Sequence, residues 1–161
     1  KGKYIETWRA LEQLYADRRV RSIGVSNFLR HHLDDLLPYC KVMPMVNQME
    51  FHPRLVQQEL IDFCQSRSIQ YEAWSPLMQG RIFNIKELKS ISEKYKKDIA
   101  QLVLRWSLQK GVVTIPKSNR RERIKSNAQI FDFEITPDDM KAIDSLDRNE
   151  RVGADPDNFN F

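Results

Sequence analysis

The chain has 161 residues, 41% hydrophobic and 30% charged, which suits one folded domain with a packed core and is too apolar for a disordered segment. No apolar run approaches the roughly 20 residues of a membrane-spanning helix, and the start, KGKYIETW, carries no signal-peptide core; the expected address is cytoplasmic, with no membrane partner. The net charge of +4 is mild, and Cys40 and Cys64 lie in apolar segments without metal-ligand spacing, so they read as reduced packing residues rather than a disulfide or metal site.

In chain order, Tyr4, Trp8, Leu11, Leu14 and Tyr15 recur at helical spacing, which predicts a helix over Tyr4–Arg18 buried on one side. Val20–Ser26 alternates into a short strand that stops at the turn pair Ser26-Asn27. A short helix is expected from His31 to Tyr39, with His31 and His32 as surface polar residues rather than ligands. Pro44–Gln48 is a second strand, interrupted by Asn47 and Gln48, and MEFHPRL follows as a loop. Val56, Leu60, Phe63 and Cys64 form the next helical stripe, leading to a third strand over Ile69–Ser75.

Pro76–Asn84, with Gly80 inside it, reads as a loop long enough to fold over a ligand. Two helices follow, one through Leu88, Ile91 and Tyr95 and one through Ile99, Leu102, Val103 and Trp106 with Asp98 as N-cap. The fourth strand, Val112–Pro116, is β-branched and bounded by Gly111. A helix near Arg121–Ala128 has Asn119 as a candidate cap, and Thr136-Pro137-Asp138-Asp139 is a strong start signal for a last helix whose buried face is Met140, Ile143 and Leu146. Residues 147–161 lack periodicity and form an irregular tail.

This alternation implies an α/β fold with four parallel strands and flanking helices. A whole (β/α)8 barrel needs about 250 residues, so the expectation is a single partial domain over 1–161, the C-terminal half of such a TIM barrel.

Each expected strand ends in polar groups: Ser26 and Asn27, Asn47 and Gln48, Ser75, then Lys117 and Ser118. In parallel α/β folds such ends share one face. Ser26, Asn27 and Gln48 can bond a carboxamide, and Trp74 can lay an aromatic face on a planar ring, although on the residues alone a core role suits Trp74 better. Between Lys117 and Lys125 five cationic side chains face one acid, Glu122. Cations, hydroxyls and helix N–H groups together suit a phosphate monoester; a solvated basic turn is the plain alternative. His52 invites an acid/base reading on its ordinary pKa alone, and Glu50 and Glu72 read as buried partners.

IPKSNRRERIKSN followed by FDFEI, together with IGVSNF, VNQMEFHP and EAWSPL, resembles the aldo-keto reductases over essentially the whole chain. The ending RVGADPDNFNF and the WSPLMQG loop are most similar to the bacterial glyoxal and diketogluconate reductase-like branch. The resemblance implies NADPH as cofactor. Lys117, Ser118, Arg123 and Asn127, with Asn119 beside them, would hold the adenosine 2′-phosphate and adenine. Ser75 and Leu77 would lie along the pyrophosphate, and Gln79 with Arg81 would close the loop. Ser26, Asn27, Gln48 and Trp74 would serve the nicotinamide, and Val152–Phe161 would close the carbonyl pocket. His52 would lie away from the chemistry.

The resemblance also implies reduction of a small aldehyde or ketone by a tyrosine, a lysine with an aspartate, and a histidine. The motifs that carry these, DTAxxYxNE, a strand-end lysine and HWP, are not found here, and Tyr4, Tyr39, Tyr71 and Tyr95 lack their context. No catalytic residue is therefore assigned, and the chain alone is expected to be inactive. The implied partner is the missing N-terminal half-barrel, or self-association through open sheet edges. A non-catalytic dinucleotide-binding or assembly half-barrel is the alternative. Nucleic-acid binding through Arg120, Arg121 and Arg123 is disfavoured, because no base-stacking aromatics accompany them.

Overall fold

The computed structural model describes residues 2–158. It is α/β, with four parallel strands and flanking helices. Two compact units divide it: the first takes the chain up to Met49, Gln58–Tyr71 and the chain from Pro156, and the second takes Glu50–Gln57 and Glu72–Asp155. Among the described residues no helix is long and apolar enough to cross a membrane.

In the first unit, α1 (Gly2–Ala16) packs Trp8 against Ile23 and Leu36, with Tyr4, Leu11, Tyr15 and Phe28 around them. β1 (Gly24–Ser26) pairs in parallel with β2 (Val46–Glu50), setting Val25 opposite Asn47 and Ser26 opposite Gln48. The Gly24 backbone runs so close to β2 that a Cβ there would stand 2.6 Å from the Val46 carbonyl oxygen. The strand expected from Val20 is shorter because β2 offers no partner before Met45, whose N–H donates to Ile23 O at 2.8 Å. The second strand likewise shifts: Pro44 has no N–H to give a ladder, and the pairing runs on to Met49 and Glu50, both fully buried. Asn47 does not break it, since its Nδ2 donates to Phe28 O at 2.8 Å. α2 (Arg30–Leu36) passes into a 3-10 turn at Leu37–Tyr39, and α3 (Gln58–Gln65) buries Leu60, Ile61, Phe63 and Cys64. Cys40 and Cys64 are free thiols. Sequence patterning does not reveal Glu12, which lies buried where its Oε1 accepts the Lys41 and Val42 N–H groups at 2.6 and 2.8 Å.

β3 (Gln70–Trp74) extends from the first unit into the second, where it pairs in parallel with β4 (Val113–Thr114). Phe51 N–H donates to Trp74 O at 3.3 Å, joining the end of the β2 segment to the same strand. α4 (Lys86–Lys94) and α5 (Ile99–Gln109) form the helical layer, and α5 supplies more of the core than any other helix, through Leu102, Val103, Leu104 and Trp106. Trp106 stacks on Phe51 with centroids 4.8 Å apart, and its Nε1 donates to Asp144 Oδ1 at 2.8 Å on α7 (Pro137–Asp144). That helix starts as its sequence predicts, with Pro137 in its first turn and the Thr136 hydroxyl accepting Asp139 N–H. Met140 is only half-buried, leaving Ile143 and Leu146 as its inner face. No helix or strand follows Asp144 among the described residues.

Candidate functional site

The second unit contains a cavity of about 620 Å³. One wall comes from the β4 exit: Ile115, Pro116, Lys117 and Ser118. Strand pairing continues one residue beyond β4, as Ile115 N–H donates to Ala73 O at 3.3 Å, and stops at Pro116, which has no donor. Lys117 and Ser118 therefore lie beyond the paired part of the strand rather than at its last rung.

The second wall is α6 (Arg121–Ala128), which presents Arg123, Ser126 and Asn127. Its placement follows from α5. The Asp98–Gln101 capping box starts α5, and the same two residues dock α6: Asp98 Oδ2 accepts from Ser126 Oγ at 3.1 Å, and Gln101 Nε2 donates to Ser126 O and Gln129 O at 3.2 and 3.1 Å. Asn119 is not the cap of α6. The N-cap is Arg120, which makes no side-chain cap bond, so the first-turn N–H groups are open to an anion. Asn119 does not line the cavity, whereas Ser118 Oγ accepts Arg120 N–H at 3.2 Å and shapes the turn instead.

The third wall is Ser75, Pro76, Leu77, Gln79, Gly80 and Phe83. This stretch is not an open loop. It folds into 3-10 turns over Met78–Asn84, pinned by buried Met78 and Ile82 and broken at Gln79 (φ 54°) and Gly80 (φ 95°). Arg81 is exposed and outside the cavity lining.

The electrostatics are one-sided. Asp98 is the acid of this lining, and both its oxygens already accept hydrogen bonds from Gln101 N–H and Ser126 Oγ. Among the described residues Lys117 and Arg123 form no ion pair. Two unneutralised cations, a hydroxyl and an uncapped helix start therefore share one cavity, which fits a phosphate monoester.

In the first unit, Ser26, Asn27 and Gln48 gather at the β1–β2 end: Ser26 Oγ and Asn27 N–H both donate to Gln48 O, at 3.2 and 2.8 Å, and Asn27 holds a left-handed φ of 60°. Trp74 is half-buried and does not line the cavity. His52 is fully buried beside Glu50, with Nε2 3.1 Å from Oε1, and burial pushes its pKa down. Glu72 is half-buried rather than buried.

His31, His32 and Asp157 offer atoms within 4.8 Å of one another. They suit a metal poorly: Leu29 N–H donates to His32 Nδ1, which puts the ring proton on Nε2, the atom that would have to ligate. Phe159 and Phe161, at the end of the predicted pocket-closing tail, lie outside the described residues.

Consecutive parallel βα units, with a cavity lined by Lys117 and Arg123 after the last strand, define half of a (β/α)8 barrel. The aldo/keto reductase family model matches residues 1–148, and the chain belongs to that oxidoreductase family. It is 58% identical to "Uncharacterized oxidoreductase YtbE" of Bacillus subtilis over 99% of its length and 57% of that protein. It is 57% identical to the glyoxal reductase of the same organism over 100% of its length and 58% of that protein, which bears out the bacterial glyoxal reductase-like branch. Among solved structures, a Gox0644 mutant in complex with NADPH matches with a TM-score of 0.94 and 43% identity, covering 99% of this chain and 59% of that one. The chain thus spans less than two thirds of the length of these relatives.

Proposed function

We propose that this chain is the cofactor-binding half of an NADPH-dependent reductase of small aldehydes and ketones. The observation that carries the reading is the unpaired Lys117 and Arg123 in a cavity whose acid, Asp98, is already engaged. Both cations and Ser118 would meet the adenosine 2′-phosphate at the open start of α6, Asn127 would serve the adenine, and Ser75, Leu77 and Gln79 would line the rest of the dinucleotide. Asn119 would act only through the turn that precedes α6. By the family resemblance, Ser26, Asn27 and Gln48 would bond the carboxamide, and Trp74 would serve the nicotinamide ring. Similar proteins crystallised with NADPH, among them the Gox0644 mutant and an aldo-keto reductase, AKR2E5, support this choice of cofactor.

Bound NADPH would supply a hydride to the carbonyl carbon. The residues here would bind and orient the cofactor, and the proton for the developing alkoxide would come from the family's tyrosine motif, which this sequence does not contain. The test is fluorescence titration of the chain with NADPH and NADH, followed by a carbonyl-reduction assay with and without an added N-terminal half of a relative. Tighter NADPH binding, with turnover only in the mixture, is expected. Turnover by the chain alone, or equal affinity for the two nucleotides, would refute it.

A second reading, an assembly half-barrel, has one observation in its favour: Val113 and Ile115, on and just after β4, are 39% and 46% exposed. Sedimentation at micromolar concentration separates the readings, since a stable monomer excludes association through this strand.

A further inference from the structure

The second unit contains a contact that the cofactor cavity does not use. The loop after β2 and the chain after α7 are tied together along their lengths. The Arg54 carbonyl accepts the N–H groups of Arg148 and Glu150 at 3.1 and 3.0 Å, and Arg54 Nη1 donates to Leu146 O at 3.4 Å. Gln57 Nε2 donates to Glu50 O, while its Oε1 accepts from Arg151 Nη2. The last tie is the strongest in kind. Glu50, fully buried at the end of β2, accepts Val152 N–H at 2.6 Å and Gly153 N–H at 3.2 Å on Oε1, with His52 Nε2 3.1 Å away. A carboxylate accepting two backbone N–H groups out of water is a far more selective anchor than surface ion pairs.

What this anchor places is the backbone at Gly153. A Cβ there would stand 2.3 Å from Cη2 of Trp74 and 3.3 Å from Glu50 Oε2. The tail backbone therefore lies directly on the edge of the indole, and a side chain at 153 would have to displace that ring.

We infer that Glu50 is a positioning residue: by fixing Val152 and Gly153 it makes the tail the wall that holds the Trp74 ring as the nicotinamide platform. The inference rests on the proposed cofactor role of Trp74, and it extends that site to a buried acid and a glycine. His52 supports the same anchor from the side, as a donor to Glu50 rather than as an acid or base.

The test uses the 161-residue chain with Glu50→Gln, which keeps the size but replaces one acceptor oxygen by a donor, and with Gly153→Ala, which keeps the carboxylate and both backbone donors and pushes chiefly on the indole. Trypsin reads the tail without any ligand: in Glu50→Gln, cleavage after Arg151 should quicken at least about tenfold, the effect of losing one charge-assisted bond. Titration with NADPH and with adenosine 2′,5′-bisphosphate reads the platform. Both variants should bind NADPH about tenfold more weakly and the bisphosphate, which has no nicotinamide, as the unaltered chain does. Unchanged cleavage and unchanged NADPH affinity would overturn the inference, and so would equal weakening of both ligands, which marks general destabilisation. Failure of the unaltered chain to bind the bisphosphate would instead overturn the cofactor reading and the platform role with it, while the digestion still decides whether Glu50 holds the tail.

Discussion

Replacing Arg123 or Lys117 by Met removes a charge and keeps most of the side-chain length. At about 4 Å and an effective dielectric of about 20, one cation and one phosphate charge attract by about 4 kcal/mol. Both side chains are exposed, so that figure is an upper bound, and the net worth of a charge-assisted hydrogen bond, about 1.5–3 kcal/mol, is the better measure. Each substitution should therefore weaken NADPH binding about 10- to 150-fold, while NADH, which lacks the 2′-phosphate, changes by less than about threefold. The assay is quenching of intrinsic fluorescence by both nucleotides at two salt concentrations. NADPH affinity should fall with salt more steeply than NADH affinity, and the difference should shrink in the variants. An NADPH-to-NADH ratio that stays constant in both variants would refute the placement of the phosphate between Lys117 and Arg123.

Gly80→Ala meets no atom within 4 Å but must adopt φ 95°, so it should destabilise through backbone strain alone, by about 1–2 kcal/mol in urea denaturation. Thr136→Ala removes the cap that accepts Asp139 N–H and should cost about 1 kcal/mol, with the loss visible first as faster amide exchange at the start of α7. Trp106→Ala empties a fully buried site stacked on Phe51 and leaves Asp144 without the indole donor; a loss of about 3–5 kcal/mol is expected from thermal melts. His52 has its pKa lowered by burial, so below the ordinary value of 6.5 the unfolded chain binds the proton and the folded chain resists it. Stability should therefore fall as the pH drops through that window, and His52→Gln should flatten the fall.

Much of the fold can be read from local chemistry. Asp98 and Thr136 announce the starts of α5 and α7 because an N-cap acts within three residues, a range that sequence displays directly. Strand limits are less visible, because they depend on where a partner ends. Val20–Ser22 alternate as a strand does and remain unpaired only because β2 begins late, while Asn47 looks like an interruption until its bond to Phe28 O is known. The 3-10 turns at Met78–Asn84 were hidden for a related reason: Gly80 suggests an open loop, but buried Met78 and Ile82 decide the conformation.

The site divides along the same line. Lys117, Ser118, Arg123 and Asn127 lie within eleven residues, so a strand exit and one helix suffice to bring them to one cavity, and the cluster of cations marks it. Glu50 and Gly153 are about a hundred residues apart: the acid reads as a buried partner, but nothing in its own segment names its donors, and the glycine reads as part of an irregular tail. The signal that unites them is physical rather than local. A buried carboxylate needs donors, β2 and its loop offer it only His52, and a tail without secondary structure has N–H groups that must be satisfied somewhere. Each shortage is met by the other, which gives Val152 and Gly153 a defined position without any helix or strand of their own.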